Sequence, residues 1–129
     1  MLMLVHQTGV VSVLENPDDS PESLDILDIG DQMCTDTERG LQSLAIHPQF
    51  GVENHSLYLY YTKLKEGCLA DDSENGPWNV VDRVEMDPVT LLLDFENRQQ
   101  VWRYVSCYEV EVLFNDTCST QIDAYNFYS

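Results

Sequence analysis

Apolar residues in this chain fall into short runs separated by turn-forming residues, the pattern of a protein built from strands. Leu2 to Val5 (LMLV) and Val10 to Leu14 (VVSVL) are β-rich runs joined by HQTG, where Gly9 can take a positive φ, so residues 2 to 14 predict a hairpin. Glu15 to Ser23 (ENPDDSPES) combines prolines with clustered acids and predicts an exposed loop. Leu24 to Ile29 (LDILDI) alternates apolar and acidic residues, as a strand with one wet face does. Leu41 to Ile46 and Leu57 to Thr62 flank a connector with Pro48, Gly51 and Asn54, and are expected to pair as antiparallel neighbours.

Lys63 to Asn79, which contains ADDSENGP, has no periodicity and reads as a surface excursion. Its Asp71, Asp72 and Glu74 lack the alternating spacing of a calcium loop. Strand character returns in Val80 to Met86 (VVDRVEM), whose apolar and charged side chains can divide between two faces, and Asp87-Pro88 ends it. Leu91 to Phe95 and Gln99 to Trp102 predict two further short strands around a Glu96-Asn97 turn, and Val105 to Phe114 alternates like another strand. No segment has a convincing helical period, so the chain is expected to be all-β.

Two stretches resemble a known family. ERGLQSLAIHPQF (Glu38 to Phe50), followed by the tyrosine run from Leu57 to Tyr61, is similar to the first-blade signature of the soluble quinoprotein glucose/sorbosone dehydrogenases. The same propeller occurs in hedgehog-interacting-protein-like proteins. VVDRVEMDPVTLLLDFENRQQVWR (Val80 to Arg103) resembles the strand and D-P-x-T-L turn that follow, and Gln7 and Gly9 match the family's opening turn. The likeness runs in family order from Leu2 to Arg103 and stops there. It implies a partial propeller over residues 1–103 and a divergent tail over 104–129.

A family propeller has six blades, each an antiparallel four-stranded sheet, and a blade takes about 40 to 45 residues. The 129 residues are therefore expected to form an incomplete six-bladed β-propeller, the first blade plus part of the next. The resemblance implies a sugar substrate, a pyrroloquinoline quinone cofactor and calcium for a complete member, and a histidine base shortly after the position of Arg103. No histidine follows His55. Hydride removal from a sugar carbon needs a base within hydrogen-bond reach, so this chain is expected to be a catalytically inactive fragment that binds neither cofactor. No catalytic residue and no metal ligand is assigned. Glu38 is the one candidate cofactor-binding residue, because the family's residue at this position lines the pocket; the bland reading of Glu38 and Arg39 is a local ion pair or turn contact. The alternative function is a non-enzymatic extracellular module that binds a protein ligand, as hedgehog-interacting-protein-like proteins do. An orphan blade with open edges and no stable function is a third reading.

His47, before Pro48, reads as structural, and His6 and His55 as turn residues. Tyr58 and Tyr60 should share one strand face and Tyr61 the other, with core packing favoured over sugar binding.

Charge and cysteines refine this picture. A net charge of −17, from 23 acidic and 6 basic residues, disfavours nucleic acid and anionic membranes as partners. No apolar run approaches the ~20 residues of a membrane helix. Met1 does not begin a signal-peptide pattern, since His6, Gln7 and Thr8 interrupt the apolar run and no basic residue precedes it. Extracellular or secretory localisation is implied by the resemblance alone. Cys34, Cys68, Cys107 and Cys118 form no C-x-x-C pair, and their even number suits either disulfides or unpaired structural thiols. Asn54-His55-Ser56 and Asn115-Asp116-Thr117 are glycosylation sequons.

Overall fold

The computed structural model describes residues 1–19, 22–35, 38–64, 68, 77–105 and 122–124. Within them the chain is all-β, apart from a short 3-10 turn at Gly30–Gln32. The first sheet is a meander of β1 (Leu2–Val5), β2 (Val10–Leu14) and β3 (Leu24–Asp28). The second runs in chain order through β4 (Leu41–Ile46), β5 (Ser56–Lys63), β6 (Trp78–Met86) and β7 (Leu93–Val105), with the three-residue β8 (Ile122–Ala124) beyond it. All pairings are antiparallel. Two consecutive meanders, the second with four long strands and neither closed into a barrel, form an incomplete propeller rather than a sandwich of interleaved strands.

The first hairpin aligns Leu2 with Leu14 and Val5 with Val11, and Gly9 takes φ 103° at its turn. The described part of the following loop, Glu15–Asp19 with Glu22 and Ser23, is exposed. The alternation expected of Leu24 to Ile29 holds only in part: Ile26 and Leu27 are both buried. Val11 pairs with Leu27 and Ser12 with Asp25, so Ile26 is an extra, bulged residue whose side chain also reaches the core.

In the second sheet β5 follows its period of two. Leu57, Leu59 and Tyr61 are buried on one face, while Tyr58 and Tyr60 are half-buried on the other. Val80, Val84 and Met86 of β6 join the first face. The turn after β6 is held by Asp87, whose Oδ1 accepts the amides of Val89 (2.8 Å) and Thr90 (3.0 Å). The Thr90 amide, then that of Val89, holds this carboxyl below the usual carboxylate range.

The region expected as two strands around Glu96-Asn97 is one strand, β7, of 13 residues. Arg83 pairs with Gln99 and Glu85 with Asp94, so Phe95 to Arg98 bulge out of a continuous ladder. Asp94 stabilises the bulge by accepting the Asn97 amide (3.3 Å) and its Nδ2 (2.8 Å). β7 runs past Arg103 to Val105, and β8 pairs with it through Trp102↔Ala124, Arg103↔Asp123 and Tyr104↔Ile122. The expected strand over 105–114 and the acids of 71–74 lie mostly or wholly outside the described residues, as do Cys107, Cys118 and the second sequon.

The two sheets stack face to face in matching order, β1 against β4 and β3 against β7. Val11, Val13, Ile26, Leu27 and Ile29 from one side meet Leu57, Leu59, Tyr61, Val80, Val84 and Phe95 from the other in a single apolar cluster. Each fully buried aliphatic side chain of this kind contributes about 1.5–3 kcal/mol. This shared interior makes two small sheets one folding unit, since neither alone could bury its apolar face.

Candidate functional site

Glu38, the one residue with an expected cofactor role, is exposed in the turn that enters β4. Its carbonyl accepts a hydrogen bond from Gln42 Nε2. Its neighbours are committed to architecture. The Arg39 carbonyl accepts Gln7 Nε2 at 2.7 Å, and its buried guanidinium donates through Nη1 to the Cys68 carbonyl. Gln7 also accepts the Leu41 amide at 3.1 Å, while the Gly40 carbonyl accepts the Thr62 amide at 3.1 Å. Gly40 has φ 137°, and a Cβ there would lie 2.7 Å from Gln7 Cγ and closer still to the Gln7 carbonyl oxygen. Gln7, Arg39 and Gly40 thus form the knot that ties the first sheet to the second.

Beside the knot, Cys34 and Cys68 form a disulfide, which selects one of the arrangements that sequence left open. The Cys34 amide donates to the Thr62 carbonyl at 3.0 Å, so the bridge joins the inter-sheet link to the connection after β5.

A second cluster lies between the sheets. Asp82 sits on β6 among Val80, Val84 and Met86, with 1% of its surface exposed. Its Oδ2 accepts the Tyr61 hydroxyl at 2.6 Å and lies 3.2 Å from Arg98 Nε. Arg98 reaches it from the β7 bulge, its guanidinium lying 4.2 Å above the Phe95 ring. Both contacts fall on one oxygen; Oδ1 is buried without a hydrogen-bond partner among the described residues. Burial raises the Asp82 carboxyl above its usual range, against the opposing effects of Tyr61 and Arg98. Burial, then the Asp82 charge, also pushes the Tyr61 phenol up, so it stays a donor.

A raised folded-state pKa means that the folded chain binds this proton more readily than the unfolded chain. The associated stability is complete below the unfolded carboxyl range and is lost as pH rises through the raised folded value. Urea midpoints measured against pH should therefore fall with rising pH in wild type relative to Asp82→Asn. A relative rise over that window would contradict the assignment.

The hairpin register brings together a trio that sequence spacing conceals. Ser12 Oγ donates to Asp25 Oδ1 at 2.6 Å and lies 3.3 Å from His6 Nε2. Nucleophilic catalysis needs the imidazole between hydroxyl and carboxylate. Here the serine is central, is 3% exposed and already gives its proton to Asp25, so the trio fastens β2 to β3.

His47 organises the β4–β5 turn: its Nδ1 accepts the Gln49 amide at 3.0 Å and lies 3.1 Å from Asn54 Nδ2, and its ring stacks on Tyr58. Asn54 of the first sequon also accepts the Ser56 amide at 3.0 Å, which occupies both ends of its side chain. The His55 ring meets Phe50 edge-on. Tyr60 packs near Trp102 and Tyr61 near Phe95, so β5 carries its tyrosines on opposite faces as its alternation requires.

No family model and no curated protein matches this chain. No helix among the described residues is long and apolar enough to cross a membrane.

Glu38 stands on the surface beside a cation directed at Cys68, and no group of three or more His, Cys, Asp or Glu side chains converges among the described residues. The orphaned Asp82 oxygen lies between the sheets, enclosed by Tyr61 and Arg98.

Proposed function

We propose that this chain is part of a glucose/sorbosone-dehydrogenase-like propeller whose residues provide scaffold rather than sugar oxidation. One observation carries this reading: the E-R-G segment, where the resemblance places a pocket-lining residue, knits two sheets together through Gln7, Arg39 and Gly40. The histidines fit it as well, since each described imidazole sits in a turn or hairpin contact. The purified chain, supplied with pyrroloquinoline quinone, calcium and glucose, is expected to reduce a dye acceptor no faster than the cofactor alone. Saturable, chain-dependent turnover would overturn the proposal.

A second reading, an extracellular module that binds a protein ligand, is favoured by the Cys34–Cys68 disulfide, because structural disulfides persist in oxidising compartments. Mass spectrometry of the chain recovered under thiol-blocking conditions distinguishes the two settings. A paired Cys34–Cys68 peptide supports the extracellular reading, and fully alkylated cysteines count against it.

A further inference from the structure

The sequon Asn54-His55-Ser56 spans the end of the β4–β5 connection and the first residue of β5. Gly51, Val52 and Glu53 just before it are exposed, Val52 at 88%, and the space around a Cβ placed on Gly51 is open. Asn54 itself is half-buried, with its carboxamide held at both ends. Its Oδ1 accepts the Ser56 amide at 3.0 Å, and its Nδ2 lies 3.1 Å from His47 Nδ1. That ring nitrogen already accepts the Gln49 amide, so it carries no proton and Nδ2 is the donor. Nδ2 has two hydrogens, and His47 takes one of them.

Ser56, the other half of the sequon, is in the opposite situation: it is fully buried. Its Oγ donates to Glu85 and accepts Arg83 Nη2 at 2.7 Å and Nε at 3.1 Å, all across the pairing of Ser56 with Glu85 that joins β5 to β6. Glycan transfer reads the asparagine and the hydroxyl residue of a sequon together. The folded chain therefore offers half an acceptor, an asparagine beside an open turn and a hydroxyl sealed under β6.

We propose that Asn54 is an N-glycosylation site that is filled before β5 closes against β6 and is silent once the sheet has formed. The proposal rests on the extracellular reading given above. Its co-substrate is a lipid-linked oligosaccharide diphosphate. Asn54 Nδ2 attacks the anomeric carbon of the first sugar; the C–N bond forms as the anomeric C–O bond breaks, the lipid diphosphate leaves with that electron pair, and Nδ2 gives up one proton. The product is a secondary amide that keeps its carbonyl oxygen and one N–H. An acceptor for the Ser56 amide and a donor for His47 thus survive the reaction, so the turn closes around the modified residue. The exposed run Gly51 to Glu53 leaves room for the sugar.

Two acceptor assays on the full chain test it, both with Asn115→Gln to remove the other sequon. In one, the chain is translated behind a cleavable leader in the presence of microsomes. In the other, the purified, folded chain is given to a solubilised transferase and lipid-linked donor that modify a standard acceptor peptide. Occupancy of Asn54 is read by peptide mass spectrometry, with Asn54→Gln as the blank. Translocated chains, identified by protection from added protease, should carry the glycan and keep the circular dichroism of the unmodified fold. Occupancy of the folded chain should be at least about tenfold lower, because only transiently opened molecules expose Ser56. Translocated chains bare at Asn54, equal occupancy in the two assays, or a glycosylated chain that has lost its β signal would each overturn the proposal. The leader imposes the compartment, so failure here rejects the site, whereas the state of Cys34 and Cys68 in the recovered chain judges the extracellular reading.

Discussion

Gly40→Val should destabilise the chain by about 3 kcal/mol or more, enough to unfold a domain of marginal stability. Two independent effects add at this position. The backbone at φ 137° is one that L side chains rarely adopt, and the new Cβ would meet the Gln7 side chain and carbonyl. Gln7 cannot withdraw without cost, because its carbonyl accepts the Leu41 amide and its Nε2 donates to the Arg39 carbonyl. The clash therefore falls on the only described hydrogen-bonded junction between β1's end and β4's start. Denaturant unfolding checks the magnitude. Gly51→Val is the control, since Gly51 has φ 81° but open space around its Cβ position and shares only the backbone penalty. Equal losses at the two sites would show that the junction contributes nothing.

Removing the Cys34–Cys68 bridge should cost about 3 to 4 kcal/mol in the loop-closure description, given a sequence separation of 34 residues. Cys34 is fully buried, so the paired Cys34→Ala, Cys68→Ala variant tests the bridge without burying a hydroxyl. Loss of the bridge also loosens the Cys68 carbonyl that receives Arg39, so the effect should couple to the knot. Unfolding in urea with and without reductant is the measurement, and the double variant should lose the part of the response to reductant that the Cys34–Cys68 bridge supplies. A wild-type midpoint unmoved by reduction would contradict the stabilising role.

Much of the architecture is legible in local chemistry. The HQTG turn with Gly9, the tyrosine alternation of β5 and the stop at Asp87-Pro88 are each dictated by residues within a few positions of one another. What escaped was bulge geometry. Asn97 and Glu96 carry the composition of a reverse turn, yet Asp94 folds back on Asn97 and keeps β7 in one ladder. Local propensity cannot separate a chain reversal from an inserted residue, because both need the same turn-forming side chains. Ile26 escaped for the same reason.

The candidate site was legible more narrowly. The E-R-G segment stood out by resemblance, but its link to Gln7 spans 32 positions and no spacing rule reveals it. Asp82 did leave a signal, since it is the one charged residue in the apolar set Val80, Asp82, Val84 and Met86. Its partners, Tyr61 and Arg98, come from neighbouring strands and are fixed only by register. Ser12, Asp25 and His6 likewise meet only because of hairpin pairing.

The fold rests on two meanders stacked face to face through one interior. Methyl NOE spectroscopy on the folded chain tests this most directly. Cross-peaks are expected between the methyl groups of Val11, Val13 and Ile26 in the first sheet and those of Leu57, Leu59 and Val84 in the second. NOEs confined within each sheet, with none crossing between these two sets, would contradict it.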